Sequence, residues 1–226
     1  MLKLNVFAAV SLMMVSTLAM AEKVEVRTAK GNVQVEKMPE TMVVYDYLSL
    51  DTLDALGVTL PGRPPKIYID YIDNFVEDPV IIGSSSEPNY EAVVKMNPDL
   101  FVIGGGSSKL MEPLSKIAPT IDMYVRGEGH VEQMLARLED FSVLTGTEKK
   151  AEVLAKKFHE KMAEAQAAVK GKGKTLIIMT NGGKISTFGE SSRFGWLYSD
   201  VGLTAAAEKI SAKSHGESIS FEYVAE

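Results

Sequence analysis

Residues Glu148–Val169 read EKKAEVLAKKFHEKMAEAQAAV, the longest helical pattern in the chain. Apolar side chains recur in it at spacings of four, four, three and four residues, the period of one face of an α-helix. That apolar face consists of Leu154, Phe158, Met162, Ala165 and Val169. Thr147 precedes the stretch as an N-cap, and Lys170 and Gly171 close it. The sequence therefore predicts one helix about 33 Å long, enough to cross a domain.

On the N-terminal side of this helix, short apolar runs alternate with helical patterns. A β-hairpin is predicted within residues 23–35, around the turn at Lys30, Gly31 and Asn32. Buried strands are predicted at 42–45, 80–82, 100–103 and 120–123, and helices at 48–56, 89–96, 109–116 and 130–144. Strands that alternate with helices in this order predict a parallel sheet covered on both faces.

On the C-terminal side, strands at 175–179 and 185–188 and a helix near Arg193 indicate the start of a second α/β lobe. The sequence ends within a helical pattern that includes Phe221 and Val224. The predicted fold class is therefore α/β, with two Rossmann-like lobes bridged by a single long helix and the second lobe incomplete in this chain. The predicted divisions are an N-terminal lobe at 22–146, the linking helix at 147–170 and the start of the C-terminal lobe at 171–226.

Residues 1–21 have the three parts of a cleavable secretory signal peptide. Lys3 gives a positive start, residues 6–18 are apolar, and Ala19, Met20 and Ala21 form a small-x-small cleavage site. A membrane anchor is the alternative, although residues 6–21 are shorter than the roughly 20 apolar residues of a spanning helix. The sequence predicts a periplasmic protein that is soluble after cleavage.

Charge and cysteine content exclude several classes of function. Cleavage removes Lys3, which leaves 23 of the 24 basic residues against 30 acidic ones, a net charge of −7. An acidic protein is a poor candidate for binding nucleic acid or anionic lipid. The chain has no cysteine, so disulfides, thiolate metal sites and cysteine nucleophiles are excluded.

Catalytic signatures are also absent from the sequence. Residues 171–175 read GKGKT, but Ala168 stands where a phosphate-binding loop needs a glycine. No serine lies in a GxSxG motif, and His130, His159 and His215 form no HExxH pair. We therefore predict no catalytic residue and expect that the protein is not an enzyme.

Two polar loops carry candidate binding residues. Ser192 and Arg193 follow a predicted strand at a helix start, where backbone N–H groups and an arginine favour an anion. The simpler alternative is a serine N-cap beside a solvated arginine. His215 lies in a polar loop beside Gly216, where it could face a cleft or be an ordinary surface histidine. Lys109 lies at a strand end, the usual ligand position in α/β proteins, whereas Trp196 is predicted to be a core residue.

Six stretches, taken together and in order, are typical of one known family. They are VVYDY (43–47), LDTLDALGV (50–58), residues 87–100 from EP to NPDL, KIAPT (116–120), SRFG (192–195) and HGESISFE (215–222). This series resembles the periplasmic siderophore-binding proteins of iron-uptake ABC transporters, which are class III substrate-binding proteins, and in particular their catecholate branch. The resemblance implies two α/β lobes joined by one helix, with the ligand between them.

The resemblance also implies roles for individual residues. Arg193 would pair with the anionic iron chelate, and His215 would complete the iron shell where the siderophore leaves positions open. The further ligand candidates are Lys109, Tyr45 and Ser192. Gly106 stands where close relatives carry an arginine, so Lys109 could substitute in part as a point charge.

Two glutamates match the residues with which this family docks on its membrane permease. Glu91 and Glu222 each follow an aromatic residue and precede a valine by two positions, a faint internal repeat. The alternative for both is an ordinary solvated helix residue.

The expected function is capture of a ferric catecholate-type siderophore and its delivery to an inner-membrane ABC importer. We expect no cofactor other than the iron within the ligand, a monomeric state and no nucleic-acid partner. The alternatives are a receptor for another metal chelate such as cobalamin or haem, a secreted hydrolase, or an adhesion module that would show no deep cleft.

Overall fold

The computed structural model describes residues 22–125, 129–206 and 216–225. The predicted signal peptide at 1–21 and the candidate ligand His215 lie outside the described residues. Within the part of the chain that the structure describes, no helix combines the length and apolarity needed to span a bilayer.

The first lobe is an alternation of short strands and helices, as predicted. In chain order its elements are β1 (Lys23–Thr28), β2 (Gly31–Glu36), β3 (Met42–Val44), α1 (Tyr47–Leu56), β4 (Leu60–Arg63), β5 (Phe75–Ile81), α2 (Tyr90–Lys95), β6 (Leu100–Ile103), a 3₁₀ helix (Gly105–Leu110), α3 (Met111–Ser115), β7 (Thr120–Asp122) and α4 (His130–Thr145). Strands β1 and β2 form the predicted antiparallel hairpin.

The centre of the first lobe is a parallel sheet in the order β3-β6-β7. All four residues of β6 are buried, because alternate side chains enter apolar clusters on opposite faces of the sheet. Leu100 and Val102 join one cluster, and Phe101 and Ile103 join the other. The prediction of a parallel sheet covered on both faces is confirmed for this lobe.

Strands β4 and β5 form a second parallel pair, and the connection between them lies along helix α1. The Tyr47 hydroxyl donates a hydrogen bond to the carbonyl oxygen of Lys66 at 2.6 Å, at the start of the helix. Near its end, Asp54 Oδ1 accepts hydrogen bonds from the backbone N–H groups of Asp73 and Asn74, at 3.2 and 3.1 Å. The connection thus returns along α1 to the start of β5, which lets the two strands run in the same direction.

Arg27 of the N-terminal hairpin makes several polar contacts with helix α4. Arg27 donates to Asp140 through its backbone N–H and through Nε and Nη2 of its guanidinium, at 2.7–3.1 Å. Glu139 accepts a further hydrogen bond from the same guanidinium at 2.6 Å. These carboxylates, chiefly Asp140, raise the pKa of Arg27. These polar contacts add to the apolar packing of Val24, Val26 and Val35 in the core cluster that includes Phe141 of α4.

Helix α5 spans Glu148–Val169, the extent predicted from its apolar stripe. Gly146, with φ +67°, ends α4 in the left-handed conformation and lets the chain turn into α5. Near the start of α5, Ala151 and Leu154 pack against the core of the first lobe. Towards its end, Gln166 Nε2 donates to the carbonyl oxygen of Asp200 at 2.8 Å. The helix therefore contacts both lobes.

The second lobe differs in part from the prediction. Its elements are β8 (Lys174–Thr175), β9 (Ile177–Asn181), β10 (Lys184–Phe188), α6 (Trp196–Ser199), β11 (Thr204–Ala205), β12 (Glu217–Ile219) and α7 (Phe221–Ala225). Strands β8 and β11 pair in parallel, whereas β9, β10 and β12 form an antiparallel sheet. The strand predicted at 175–179 is divided between β8 and β9. The helix predicted near Arg193 begins at Trp196, after a loop.

Candidate functional site

A cavity of about 310 Å³ lies where the first lobe, helix α5 and the second lobe meet. Phe158 of α5 and Trp196 of α6 contribute to its wall, and the other lining residues come from the first lobe. The polar lining residues are Asp46, Ser49, Asp51, Thr52, His130 and Arg137, and the apolar ones are Leu48, Met123, Val125, Val131, Met134, Phe141, Phe158 and Trp196. Asp46 and Met123 follow the carboxyl ends of β3 and β7, the edge of an α/β sheet at which ligands bind.

Asp46 joins the end of β3 to the start of α1. Its Oδ2 accepts hydrogen bonds from the backbone N–H and the hydroxyl of Ser49, at 2.9 and 2.7 Å, and so caps the helix. Burial raises the pKa of Asp46, and the nearby charge of Asp122 adds to this effect. The carboxyl also packs on Gly104, because a Cβ at that position would lie 2.4 Å from Oδ1. The first-lobe edge of the cavity is thus closely packed.

The loop after β6 is fixed to the end of β7. Ser108 donates to Asp122 Oδ2 at 3.2 Å, and Asp122 Oδ1 accepts from the backbone N–H of Tyr124 at 3.1 Å. Gly105 packs so closely on the Tyr124 ring that a Cβ there would lie 2.7 Å from it. Gly106, by contrast, is exposed, and a Cβ at this position would meet no atom within 4 Å. The structure therefore leaves open space for a larger side chain at position 106.

Arg137 shapes the floor of the cavity through backbone contacts. Its guanidinium donates to the carbonyl oxygens of Met123, Tyr124 and Arg27, at 3.2, 3.4 and 2.5 Å. Burial lowers the pKa of Arg137. The side chain holds the loop after β7 against the N-terminal hairpin, so its charge serves the structure of the cavity wall.

Arg193 is exposed on the loop between β10 and α6. Its guanidinium lies 5.4 Å from the ring centre of Phe188 and 5.0 Å from that of Phe194, within the range of cation–π contact. Nη2 also contacts Met179 Sδ at 3.7 Å. Among the described residues Arg193 forms no salt bridge. The two rings therefore orient a cation whose N–H groups remain largely available to a ligand.

The loop that carries Arg193 is compact. Ser192 is buried, and its Oγ accepts a hydrogen bond from the backbone N–H of Phe194 at 3.2 Å. A Cβ at Gly195 would lie 1.7 Å from the carbonyl oxygen of Glu190, so this position requires glycine. The geometry places Ser192 inside the loop, where it stabilises the turn, and it does not line the cavity.

Tyr45 occupies a position that differs from the expectation of ligand contact. It is 3% exposed, and its hydroxyl donates to the carbonyl oxygen of Ile82 at 2.8 Å. Burial raises the pKa of Tyr45. The ring packs with Val43 and Phe101 in the apolar cluster of one sheet face and does not line the cavity. On this geometry Tyr45 is a core residue.

A substitution at Tyr45 separates a core role from a ligand role. Tyr45→Phe removes the buried hydrogen bond and leaves the carbonyl of Ile82 without this donor, so we expect a loss of about 1–2 kcal/mol in the free energy of unfolding. Ligand affinity should stay within a factor of two of the parent. Urea unfolding and a binding titration measure the two effects, and a large loss of affinity in a stably folded variant would contradict the core assignment.

Lys109, Glu91 and Glu222 are all exposed. Lys109 lies in the 3₁₀ helix after β6, outside the cavity lining. Glu91 is the second residue of α2 and forms an ion pair with Lys95 at 2.7 Å. Glu222 is the second residue of α7, and hydrogen bonds to its own backbone N–H and to Ser220 lower its pKa. Each of the two glutamates is thus the second residue of a short helix.

The structure also shows functional candidates that the sequence reasoning missed. Trp196, expected in the core, lines the cavity, together with Phe158, Asp46 and Asp51. Trp196 lies three residues beyond the candidate ligand residue Arg193, and this short spacing could have indicated that Trp196 also lies near the site. No group of three or more histidine, aspartate or glutamate side chains suited to a metal ion occurs in residues 22–125, 129–206 and 216–225.

The chain is similar to several characterised proteins. It is 34% identical over 199 residues to the petrobactin-binding protein YclQ of Bacillus subtilis. The aligned residues cover 86% of this chain and 63% of YclQ. It is 27% identical over 201 residues to the ferric-anguibactin-binding protein FatB of Vibrio anguillarum. The aligned residues cover 86% of this chain and 62% of FatB. The chain thus spans a little under two thirds of the length of these curated relatives.

Solved structures agree with the fold. The crystal structure of YclQ matches with a TM-score of 0.81 at 32% identity, covering 90% of this chain and 73% of that chain. The periplasmic catecholate-siderophore binding protein VctP of Vibrio cholerae matches with a TM-score of 0.75 at 28% identity, covering 90% and 74%.

Fold and cavity together define a binding protein of two α/β lobes on one bridging helix. Residues 42–226, more than half of the chain, match the family model described as periplasmic binding protein. The chain therefore belongs to the periplasmic binding protein family.

Proposed function

We propose that this protein is a periplasmic receptor that captures a ferric catecholate-type siderophore and delivers it to an ABC importer of the inner membrane. The observation that carries the proposal is the cavity between the lobes. Arg193, which is exposed and contacts the rings of Phe188 and Phe194, precedes the lining residue Trp196 by three positions in the sequence. Relatives named for binding petrobactin, ferric anguibactin and catecholate siderophores support the choice of ligand class. The protein acts as a binder and not as a catalyst.

Capture depends on local positive charge in an acidic protein. The whole chain has a net charge of −6, so its overall field does not attract an anion. Arg193 on the second lobe and Lys109 on the first are exposed cations in loops that follow strands. In the proposal they pair with the catecholate oxygens around Fe(III). Iron enters as part of the ligand. His215 completes its coordination where the siderophore leaves a position open.

Delivery requires contact with the permease and secretion of the receptor. Glu91 and Glu222, each exposed at the second position of a short helix, dock the two lobes on basic residues of the permease. Residues 1–21 direct export and are then cleaved, so the receptor works in the periplasm. In the proposal it acts there as a monomer.

Tryptophan fluorescence tests the proposal directly, because Trp196 is the only tryptophan in the chain and lines the cavity. We expect a ferric tris-catecholamide to quench this emission in a saturable manner, and a ferric trihydroxamate to bind more weakly. Trp196→Phe should abolish the signal while calorimetry still detects binding. Failure of several ferric catecholates to quench or to release heat would contradict the proposed function.

The glycine at position 106 gives a gain-of-function prediction. Gly106→Arg adds a guanidinium in open space beside the cleft, so we expect affinity for a ferric catecholate to rise about tenfold. Gly183→Arg is the matched control, because Gly183 is also unhindered but lies in the hairpin turn between β9 and β10. That turn is at the opposite end of β10 from the Arg193 loop. Equal gains in both variants would indicate a general charge effect and contradict a cleft position for residue 106.

A further inference from the structure

Met179 is an exposed methionine in contact with the candidate anion-binding residue Arg193. It lies in β9, which pairs with β10 and is the outer strand of its three-stranded sheet in the part of the chain that the structure describes. Met179 is 38% exposed, and its sulfur lies 3.7 Å from Nη2 of Arg193. A small oxidant in solution can therefore reach this side chain.

The Met179 sulfur is one of the contacts that orient Arg193. The rings of Phe188 and Phe194 have their centres 5.4 and 5.0 Å from the guanidinium carbon, and the sulfur contacts Nη2 of the same group. A thioether is a weak hydrogen-bond acceptor, so it takes little from the N–H groups of Arg193. In the reduced protein the guanidinium thus stays available to an anion.

Oxidation by a peroxide converts this weak acceptor into a strong one. The sulfur attacks one oxygen of hydrogen peroxide, the O–O bond breaks and an S–O bond forms. The sulfur loses two electrons, and the departing hydroxide takes the proton of the attacked oxygen and leaves as water. The new oxygen is one bond length from a sulfur that already contacts Nη2, so it comes within hydrogen-bond distance of the guanidinium.

We propose that Met179 is a reversible oxidation site that controls the capacity of Arg193 to bind an anion. The sulfoxide oxygen accepts a charge-assisted hydrogen bond from the guanidinium and so engages a donor that a catecholate oxygen would otherwise use. Binding of a ferric catecholate therefore weakens when Met179 is oxidised and recovers when the sulfoxide is reduced. This inference rests on the proposed function and adds a peroxide-sensitive modification to it.

Two other described methionines are exposed, and the test must separate them from Met179. Met134 lines the cavity, so its oxidation could alter the ligand site by another route. Met38 lies outside the cavity lining and packs beside Gly146, at the turn between α4 and α5. Oxidation of Met38 therefore reports that peroxide has acted on the protein.

The test compares ligand affinity before and after peroxide treatment. Each protein is treated with hydrogen peroxide, freed of it and titrated with a ferric tris-catecholamide by calorimetry, while peptide mass spectrometry follows the three methionines. We expect the parent and Met134→Leu to lose about three- to tenfold in affinity, and methionine sulfoxide reductases to restore it. Met179→Leu should change by less than twofold on oxidation. Arg193→Gln should also change by less than twofold, because the sulfoxide then has no guanidinium to engage.

Full conversion of Met179 without a loss of affinity would overturn the inference while the proposed function stands. Conversion of Met38 without that of Met179 would do the same, since the sulfur would then be inaccessible to peroxide. A loss in Met179→Leu or in Arg193→Gln as large as that in the parent would place the effect elsewhere and also overturn the inference. Absence of binding by the reduced parent protein would overturn both the inference and the proposed function.

Discussion

Replacing Arg193 by glutamine is expected to weaken the binding of a ferric catecholate by about 10- to 100-fold. The guanidinium is exposed and is oriented by the rings of Phe188 and Phe194, so little side-chain entropy is lost when an anion binds. Glutamine retains polar groups of similar reach but carries no charge. Trp196 quenching by a ferric tris-catecholamide measures the change in dissociation constant.

Lys184→Gln is the matched control for Arg193→Gln. Lys184 is an exposed cation at the start of β10, whereas Arg193 follows its end, so both variants lose one positive charge from the same part of the second lobe. Lys184→Gln should change affinity by less than twofold, and both variants should unfold at the same urea concentration as the parent. Unchanged affinity in a folded Arg193→Gln variant would remove the main electrostatic contact from the proposal.

Asp140→Ala is expected to lower the free energy of unfolding by about 2–4 kcal/mol. Asp140 is 5% exposed and accepts hydrogen bonds from the backbone and the guanidinium of Arg27, so its loss leaves these donors without their buried partner. The N-terminal hairpin would also lose its buried ionic contact with α4, although the hydrogen bond from Arg137 to the carbonyl of Arg27 remains. Urea unfolding followed by circular dichroism measures the effect.

Glu139→Ala provides the comparison for Asp140→Ala. Glu139 contacts the same guanidinium at 2.6 Å, but its side chain is 68% exposed, so this salt bridge should contribute only about 0–1 kcal/mol. Losses of equal size in the two variants would show that burial of Asp140 is not what makes the contact strong. Arg137, which lines the cavity, lies in the same helix and donates to the backbone of Arg27. A larger loss in Asp140→Ala would therefore indicate that the contact between Arg27 and α4 also supports the cavity wall.

The elements with a long or uniform pattern could be predicted from the sequence. Helix α5 was predicted at both ends because its apolar stripe, from Leu154 to Val169, runs through about four turns between clear boundary residues. Strand β6 was predicted because four consecutive apolar residues suit a parallel strand buried on both faces. Strand β4 was missed because it contains Pro61 and Gly62, residues that normally argue against a strand.

The second lobe shows where a local signal was overlooked. Asn181 and Gly182 stand between two apolar runs, which is a strong hairpin signal, and Gly182 adopts φ +59° in the turn between β9 and β10. The hairpin makes this sheet antiparallel, whereas strict βαβ alternation would have made it parallel.

The candidate site was less predictable because it depends on tertiary contacts. Tyr45 directly follows β3, a strand that is buried on both faces, so strand periodicity cannot distinguish a core ring from a ligand contact. The hydrogen bond to Ile82, 37 residues away, places it in the core. Phe158 belongs to the apolar stripe of α5, and only the packing of both lobes shows that it lines the cavity and is not enclosed in a core.

The central claim is that an iron chelate binds between the two lobes, and diffraction at the iron absorption edge tests it most directly. Crystals of the protein grown with a ferric bis-catecholamide should show one anomalous iron peak per chain, between the loop of Gly106 and Lys109 and the loop of Arg193. The guanidinium of Arg193 should lie within hydrogen-bond distance of a catecholate oxygen. An iron peak elsewhere on the protein, or well-ordered chelate with Arg193 turned away from it, would contradict the account.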